Sequence, residues 1–295
     1  MSFHNRSTKD PAIALLIVSS ILWGSSFVSI KIGLAYLNAF DFAFLRLASA
    51  SAILVAILVF NGRLKLASLK EKSVWALGLL NGIGFSLQYV GLQFTTPAKT
   101  ALLIDMNVIA VAILSWRLFQ ESFGLRKQFA VIIGVLGAVM ITTNGDLSTL
   151  THGEFLGDVL VLFAGLVWAG FIILHKRVLS SNDRNVMELS AVVMSATAFL
   201  LFPVALLFGR LGVQAIPIEG WVWIGYTAIV CQVVPYALWV FALKSVTATI
   251  ASVVGMLEIV AAMILSSLFL AESYNAVTLL GAGLILLSIL AVAES

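Results

Sequence analysis

Residues Ala101–Ser122 read ALLIDMNVIAVAILSWRLFQES, and residues Ser252–Ser273, 151 positions further along, read SVVGMLEIVAAMILSSLFLAES. At this offset Ile113-Leu114-Ser115 falls on Ile264-Leu265-Ser266. Each stretch is mostly apolar and slightly longer than the roughly 20 residues that an α-helix needs to cross a bilayer. The pair therefore indicates a membrane protein that contains an internal duplication.

The composition agrees with a lipid environment. The chain has 295 residues, of which 61% are hydrophobic and 11% charged, and its mean hydropathy is +1.09. A soluble protein is about 45–50% apolar and about 25% charged, so these values exclude a soluble enzyme, a nucleic-acid-binding protein and a disordered chain. The single cysteine, Cys231, excludes a disulfide framework. The histidines have no metal-ligand spacing and no phosphate-binding loop occurs, so we expect neither a metal nor a cofactor.

Breaks at charges, Gly, Pro and Asn divide the chain into ten apolar runs, which predict an all-α polytopic membrane protein with ten transmembrane helices. The runs lack the alternation of barrel strands. They are Pro11–Ile32, Phe40–Phe60, Val74–Phe94, Lys99–Phe119, Arg126–Thr143, Leu156–Lys176, Val186–Phe208, Gly220–Ala242, Thr249–Leu270 and Ala276–Ala293. If both termini are cytoplasmic, 13 of the 17 lysines and arginines lie on the inner side, as the positive-inside rule requires.

Further pairs extend the repeat over most of the chain. Trp23 and Lys31 fall on Trp168 and Lys176 at an offset of 145, and Gly84 falls on Pro235 at 151. The predicted halves are residues 1–147 and 148–295, with five helices each. Because five is odd, the second half must be inverted in the membrane, a plan that recurs in secondary transporters.

Several short motifs add a resemblance to a known family. They are Leu22-Trp23-Gly24-Ser25-Ser26-Phe27, Arg46, and the ending Phe119-Gln120-Glu121 with its echo Leu270-Ala271-Glu272. In this order and spacing the chain resembles the EamA-type drug/metabolite transporter superfamily, and within it the YddG-type aromatic amino acid exporters. The resemblance implies a ten-helix carrier of the bacterial inner membrane. Family endings usually carry Gly before the Glu, so Gln120 and Ala271 leave a tight turn there in question.

Ionisable residues at membrane depth are functional candidates because burying a charge in lipid is costly. Glu258 lies near the middle of the ninth run, and Asn107 is its repeat mate. Glu258 could form an interhelical hydrogen bond, bind a substrate ammonium or carry a coupled proton. Arg46 and Asp105 lie at similar depth, and we expect them to form a structural ion pair. We expect His175 to face lipid headgroups.

Polar and aromatic residues in the two halves predict opposite walls of one cavity. Gln232, Tyr236 and Trp239 share a helix face at i, i+4 and i+7, and the first half has a comparable stripe. The tryptophan pair could line the cavity or pack in the core, and Ser26 could bind substrate or serve helix packing. The expected substrate-binding residues are Trp23, Ser26, Asn81, Phe85, Gln88, Tyr89, Asn107, Trp168, Gln232, Tyr236, Trp239 and Glu258. Gly82, Gly84 and Pro235 are hinge candidates.

The leading functional hypothesis is a secondary transporter that exports amino acids, most of all aromatic and other neutral ones, by alternating access. One alternative is an exporter of hydrophobic cations or drugs that uses Glu258 as the anionic site. A channel or a non-transport scaffold is a further alternative, whereas an intramembrane enzyme lacks the nucleophile–base pair that it needs. The expected partners are a small-molecule substrate and membrane lipid, without nucleic acid; the oligomeric state stays open.

Overall fold

The protein is described from a computed structural model. The structure describes residues 6–63, 70–120, 124–143, 145–146, 148, 155–181, 185–210, 216–271 and 273–293. Over these residues the fold is entirely helical, without a strand. Glu121, Glu272 and the expected boundary at residue 147 lie outside the described residues.

Each of the ten apolar runs forms a helical rod, and three rods are interrupted. The fourth is broken at Met106 and the ninth at Met256, while a π-helical turn, Ile229–Val233, interrupts the eighth. The helices are α1 Arg6–Gly33, α2 Ala39–Phe60, α3 Lys72–Phe94, α4 Pro97–Asp105, α5 Asn107–Phe119, α6 Leu125–Thr143, α7 Phe155–Ser181, α8 Val186–Phe208, α9 Ile218–Ala228, α10 Val234–Leu243, α11 Ala248–Gly255, α12 Leu257–Leu270 and α13 Ala276–Ala293.

Seven of the rods in the described part of the chain are long and apolar enough to span a membrane. They comprise α1, α2, α4 with α5, α7, α8, α9 with α10, and α11 with α12. The other rods, α3, α6 and α13, are shorter or more polar; α3 carries Asn81 and Gln88. The protein is therefore an all-helical membrane protein with at least seven clear spans among the described residues.

Matching contacts in the two halves show the duplication at the level of side chains. Lys31 on α1 donates from Nζ to the carbonyls of Leu92 (2.9 Å) and Thr95 (2.8 Å). Its repeat mate Lys176 on α7 donates in the same way to Leu243 (2.7 Å) and Val246 (2.6 Å). In each half a partly buried lysine thus supplies donors to carbonyls at the C-terminal end of a helix, where the helix itself supplies no N–H.

The ends of the fourth and ninth rods also correspond. Thr96 and Thr247 begin them as N-caps, each accepting a backbone N–H at 3.2 Å. Gln120 and Ala271 end them with φ of 51° and 56°. This left-handed conformation is the usual helix stop and favours glycine, so the tight turn is kept although glycine is absent from both positions.

Helices of one half pack mainly against helices of the other half. The major contacts join α6 to α13, α2 to α8, α3 to α7, and α1 to both α10 and α12. Small residues allow the closest approaches: a Cβ built on Gly24 would lie 2.6 Å from the Glu258 carbonyl oxygen, and one on Gly137 2.5 Å from the Gly281 oxygen. This packing leaves a central space between α1 to α5 of one half and α7 to α12 of the other.

Candidate functional site

A central cavity of about 810 Å³, a volume that includes its opening to solvent, lies between the two halves. Both halves contribute to its wall. The lining residues are Trp23, Ser26, Phe27, Arg46, Asn81, Phe85, Gln88, Ile104, Asp105, Asn107, Trp168, Phe171, Ile172, Gln232, Tyr236, Trp239, Ala251, Ser252, Gly255 and Glu258. Eleven of the twelve expected substrate-binding residues are therefore brought to one space.

Tyr89 is the exception, because it lies behind the wall. Its side chain is fully buried, and its hydroxyl accepts a 3.0 Å hydrogen bond from Arg46 Nη1. The prediction that Tyr89 lines the cavity is wrong: one turn of α3 places Phe85 and Gln88 on the cavity face and turns Tyr89 toward Arg46. Tyr89 positions the guanidinium instead.

Arg46 is held by a carbonyl that a proline has freed. Pro235 has no N–H, so the carbonyl of Cys231, four residues earlier, lacks the donor that a regular helix supplies. Arg46 Nη2 takes this place at 2.9 Å and also donates to Gln232 Oε1 at 2.9 Å. The guanidinium carbon lies 5.1 Å from the centre of the Phe85 ring, within cation–π range. Pro235 and the π-helical turn thus fix a buried cation at the cavity wall.

The ion pair expected between Arg46 and Asp105 is not formed. Arg46 is occupied as described, and Asp105 instead lies near Glu258 in the cavity wall. The cause lies in the two helix breaks: Asp105 ends α4 immediately before Met106, and Glu258 is the second residue of α12, just after Met256. These breaks bring carboxyl groups from opposite halves together, which no spacing in the sequence reveals.

The two acids have no cation of their own. In the described part of the chain no Lys, Arg or His forms an ion pair with either Asp105 or Glu258, whereas Lys99 pairs with Asp158 at 2.6 Å. The cavity therefore has one guanidinium, that of Arg46, and two carboxyl groups in its wall.

Aromatic rings form much of the remaining wall. Trp239 stacks on Phe171 with ring centres 6.3 Å apart, and Trp23 lies 6.0 Å from Trp239. On the first-half side, Phe85 meets Trp168 edge to face at 5.2 Å. These rings give the cavity a largely apolar surface that fits a flat or bulky apolar group.

His175 packs behind the aromatic wall and corrects a further expectation. It is fully buried rather than at the headgroups, and its Nε2 lies 2.9 Å from the Tyr236 hydroxyl. Its ring also packs edge to face on Trp239. Since α7 extends to Ser181 and does not end at Lys176 as the sequence suggested, His175 lies more than a turn inside the observed end of the helix.

Four cavity-lining residues each have a polar atom without a protein partner. These atoms are Arg46 Nε, Gln88 Oε1, Asp105 Oδ2 and Ser252 Oγ, and all four residues are at least nine-tenths buried. By contrast, Asn81 bonds to Trp168 and Thr197, and Gln232 is held by Arg46 and Met194. Unpaired buried polar groups are unfavourable, so these atoms favour a ligand that both donates and accepts hydrogen bonds.

The expected hinge residues differ in their packing. A Cβ on Gly84 would lie 2.8 Å from the Trp168 ring, whereas one on Gly82 would meet Leu201 at an ordinary 3.7 Å. Gly84 is therefore needed for close helix packing.

Seven further residues line the cavity although the sequence analysis did not name them. They are Phe27, Ile104, Phe171, Ile172, Ala251, Ser252 and Gly255. Small and apolar residues in apolar helices give no contrast by which the sequence could identify them.

Comparisons with known proteins agree with this architecture. The EamA-like transporter family matches the chain twice, over residues 10–143 and 155–293. The chain belongs to the EamA-like transporter family. This family member is thus a membrane transporter with two repeats, and no cluster of metal-ligating side chains occurs among its described residues.

Relatives of this EamA-like protein carry names that state transport but no substrate. An "Uncharacterized transporter" of Archaeoglobus fulgidus is 29% identical over 80% of this chain and 81% of its own length. YyaM of Bacillus subtilis, also named a transporter, is 27% identical over 85% and 84%. YedA of Escherichia coli, named an inner membrane transporter, is 25% identical over 96% and 90%. A crystal structure covers 97% of both chains with a TM-score of 0.79 at 15% identity, which shows the shared fold.

Proposed function

We propose that this protein is a secondary carrier of the bacterial inner membrane that exports neutral amino acids, aromatic ones foremost. The observation that carries the proposal is the single cavity in which a fixed cation, a pair of acids and aromatic walls meet. An amino acid zwitterion has a carboxylate, an ammonium and a side chain, and the cavity offers a matching group for each. Arg46 suits the carboxylate, Asp105 with Glu258 the ammonium, and the rings the side chain.

The proposed membrane arrangement has ten crossings, as two inverted five-helix repeats with both termini cytoplasmic. The distribution of lysines and arginines supports this orientation. The equivalent contacts of Lys31 and Lys176 support the equivalence of residues 1–147 and 148–295. A site between inverted repeats is the usual place for a substrate in such carriers.

Transport is proposed to proceed by rocking of one half against the other around this cavity. The break at Met106, the break at Met256 and the π-helical turn before Pro235 all lie beside the cavity, where freed backbone groups can be satisfied during a motion. Pro235, Gly82 and Gly84 remain the hinge candidates, with close packing as the competing role for Gly84.

Counterflow in proteoliposomes tests the substrate class. Vesicles loaded with one unlabelled amino acid are given a trace of the same labelled amino acid, and a panel includes phenylalanine, leucine, aspartate and lysine. We expect rapid exchange of phenylalanine and leucine, and little of the charged pair. Failure to exchange any amino acid, with exchange of another solute, would refute the substrate class while leaving the carrier intact.

An alternative substrate class is a hydrophobic cation or drug. The observation that favours it is that Asp105 and Glu258 form no ion pair with a Lys, Arg or His among the described residues. In that case tetraphenylphosphonium would exchange and phenylalanine would not, and Glu258→Gln would abolish the exchange. The matched control is Glu219→Gln, since Glu219 is an exposed acid at the start of α9.

The accessibility of a cysteine introduced by Gln88→Cys distinguishes a carrier from a channel or a scaffold. In the Cys231→Ser background, Gln88→Cys is reacted with impermeant thiol reagents from each side of the membrane, with and without substrate. A carrier exposes the site to one side at a time, and substrate shifts the balance. Equal reaction from both sides at once would indicate a pore, and reaction from neither side a scaffold.

A further inference from the structure

We propose that Gly255 determines the size of the substrate side chain, because the open space beside this glycine receives that side chain. This inference rests on the proposed amino acid substrate and adds the residue that selects among amino acids. Gly255 is the last residue of α11 and lines the central cavity. A missing side chain in the wall of a substrate cavity leaves volume that a bulky group of the substrate can fill.

The space beside Gly255 is open in the structure. A Cβ built on Gly255 would have no heavy atom within 4 Å apart from the neighbouring backbone of its own helix, whereas a Cβ on Gly24 would lie 2.5 Å from the Cβ of Ala261. Among the described residues, the glycines with a positive φ are Gly62 and Gly145. Neither close packing nor backbone conformation therefore requires glycine at position 255, and the property that it controls is the volume of the cavity.

The internal repeat shows that this space belongs to the second half alone. Gly255 is the repeat mate of Ile104, and both residues line the cavity. Sixteen of the twenty lining residues form such pairs of repeat mates, at an offset of 145 between α1 and α7 and of 151 elsewhere. The eight pairs are Trp23 with Trp168, Ser26 with Phe171, Phe27 with Ile172, Asn81 with Gln232, Phe85 with Tyr236, Gln88 with Trp239, Ile104 with Gly255, and Asn107 with Glu258. From the first half to the second, the replacement of Ile104 by Gly255 is the largest decrease in side-chain size among them.

The rest of α11 keeps this side of the cavity wide. This helix contributes three small residues to the wall, Ala251, Ser252 and Gly255. Aromatic residues enter the same cavity from three helices that contact α11, and they are Trp23 on α1, Phe171 on α7, and Tyr236 and Trp239 on α10. The cavity thus has room beside α11 and rings on neighbouring helices, an arrangement that suits a flat or bulky substrate side chain.

Ser252 gives the same side of the cavity a group that a ligand can bind. It precedes Gly255 by three residues, which places both on one face of α11. Ser252 is 7% exposed, and its hydroxyl has no protein partner. Its repeat mate is Ala101, so the second half has one more hydroxyl and one branched side chain fewer within a single helical turn. A hydroxyl can both donate and accept hydrogen bonds, so this face combines room for a side chain with a polar contact.

Counterflow in proteoliposomes measures the size limit. The variants are Gly255→Ala and Gly255→Leu, and the panel is alanine, leucine, phenylalanine and tryptophan. In Gly255→Leu the KM for phenylalanine and tryptophan should rise at least about tenfold, because misfit by a single methylene in a pocket already changes recognition about 10–200-fold. Gly255→Ala should give a smaller rise in the same order, and the KM for alanine should stay unchanged in both variants.

Gly283→Leu is the matched control. A Cβ on Gly283 would also have nothing within 4 Å, and none of the residues that line the cavity lies on α13. Counterflow by Gly283→Leu should match the wild type for all four amino acids. Both leucine variants should melt at or above the wild-type temperature, since glycine inside a helix is entropically unfavourable. If Gly255→Leu melts below Gly283→Leu, the smaller Gly255→Ala variant decides the comparison.

A protection experiment locates the side chain of the substrate directly. In the Cys231→Ser background, Gly255→Cys is reacted with a small thiol reagent in the presence of phenylalanine or alanine. Phenylalanine at ten times its Kd leaves about one site in eleven empty and should slow the reaction about tenfold. Alanine at ten times its own Kd should slow the reaction much less, because its methyl group does not fill the space. Equal protection by the two amino acids would overturn the proposed position of the side chain.

The outcomes separate this inference from the proposed function. An equal rise in KM for all four amino acids, or no change in any of them, overturns the role of Gly255 and leaves the amino acid carrier standing. Absence of exchange of every amino acid by the wild-type protein overturns both. A rise confined to the larger amino acids, with unchanged melting and an unaffected Gly283→Leu control, supports selection by size at Gly255.

Discussion

Replacing Gly84 with alanine separates the hinge role of this residue from its packing role. A Cβ at position 84 would lie 2.8 Å from Cε2 and 2.9 Å from Nε1 of Trp168. Ordinary contact begins at 3.4 Å, so the rigid indole would have to retreat by at least about 0.6 Å, a typical overpacking displacement. Gly82→Ala is the matched control, because its Cβ would find ordinary contacts on the same helix.

The two variants should change the free energy of unfolding in opposite directions. Overpacking costs about 1–3 kcal/mol, and alanine in place of helical glycine recovers about 0.5–1 kcal/mol. Gly84→Ala should therefore lose about 1 kcal/mol of stability, or about 2–4 °C in apparent Tm, whereas Gly82→Ala should be unchanged or slightly stabilised. Displacement of Trp168 also weakens its 3.4 Å bond to Asn81, so we expect the KM for phenylalanine to rise about tenfold.

The assay combines thermal melting of purified protein with phenylalanine counterflow. If packing decides, only Gly84→Ala lowers the apparent Tm and raises KM. Equal loss of transport rate in both variants, with both melting like the wild type, would refute this reasoning and favour a hinge that needs glycine at both positions.

The remaining predictions concern the arginine site, a helix end and the lysine caps. Pro235→Ala restores an N–H for the Cys231 carbonyl that Arg46 now uses. The competing N–H should weaken a charged hydrogen bond of about 1.5–3 kcal/mol, so KM in counterflow should rise at least tenfold. An unchanged KM would contradict the assignment of Arg46 to the substrate site. Ala271→Gly removes the strain of φ at 56° and should stabilise by about 1 kcal/mol in a melting experiment. Lys31→Met and Lys176→Met each leave two carbonyls without that donor, and should lower the apparent Tm by similar amounts; a loss confined to one of them would contradict the equivalence of the halves.

Composition and periodicity determined the membrane class, the ten helical rods and the duplication, because lipid requires long apolar runs and internally satisfied backbones. Scarcity of polar residues within those runs also identified the polar part of the cavity wall, including Gln88 and Gln232, and the repeat identified Trp168. A polar side chain in an apolar helix is conspicuous in the sequence and unfavourable against lipid, so it is driven toward an internal space.

The partners inside that space were decided by the tertiary structure alone. The proximity of Asp105 to Glu258 depends on breaks at Met106 and Met256, and the position of Arg46 depends on the carbonyl that Pro235 leaves without a donor. Each of these contacts is between residues far apart in sequence, and each depends on a helix break or on a backbone carbonyl that lacks its usual helical donor. A sequence shows which residues are polar, but which of them meet is set by the packing of helices from the two halves.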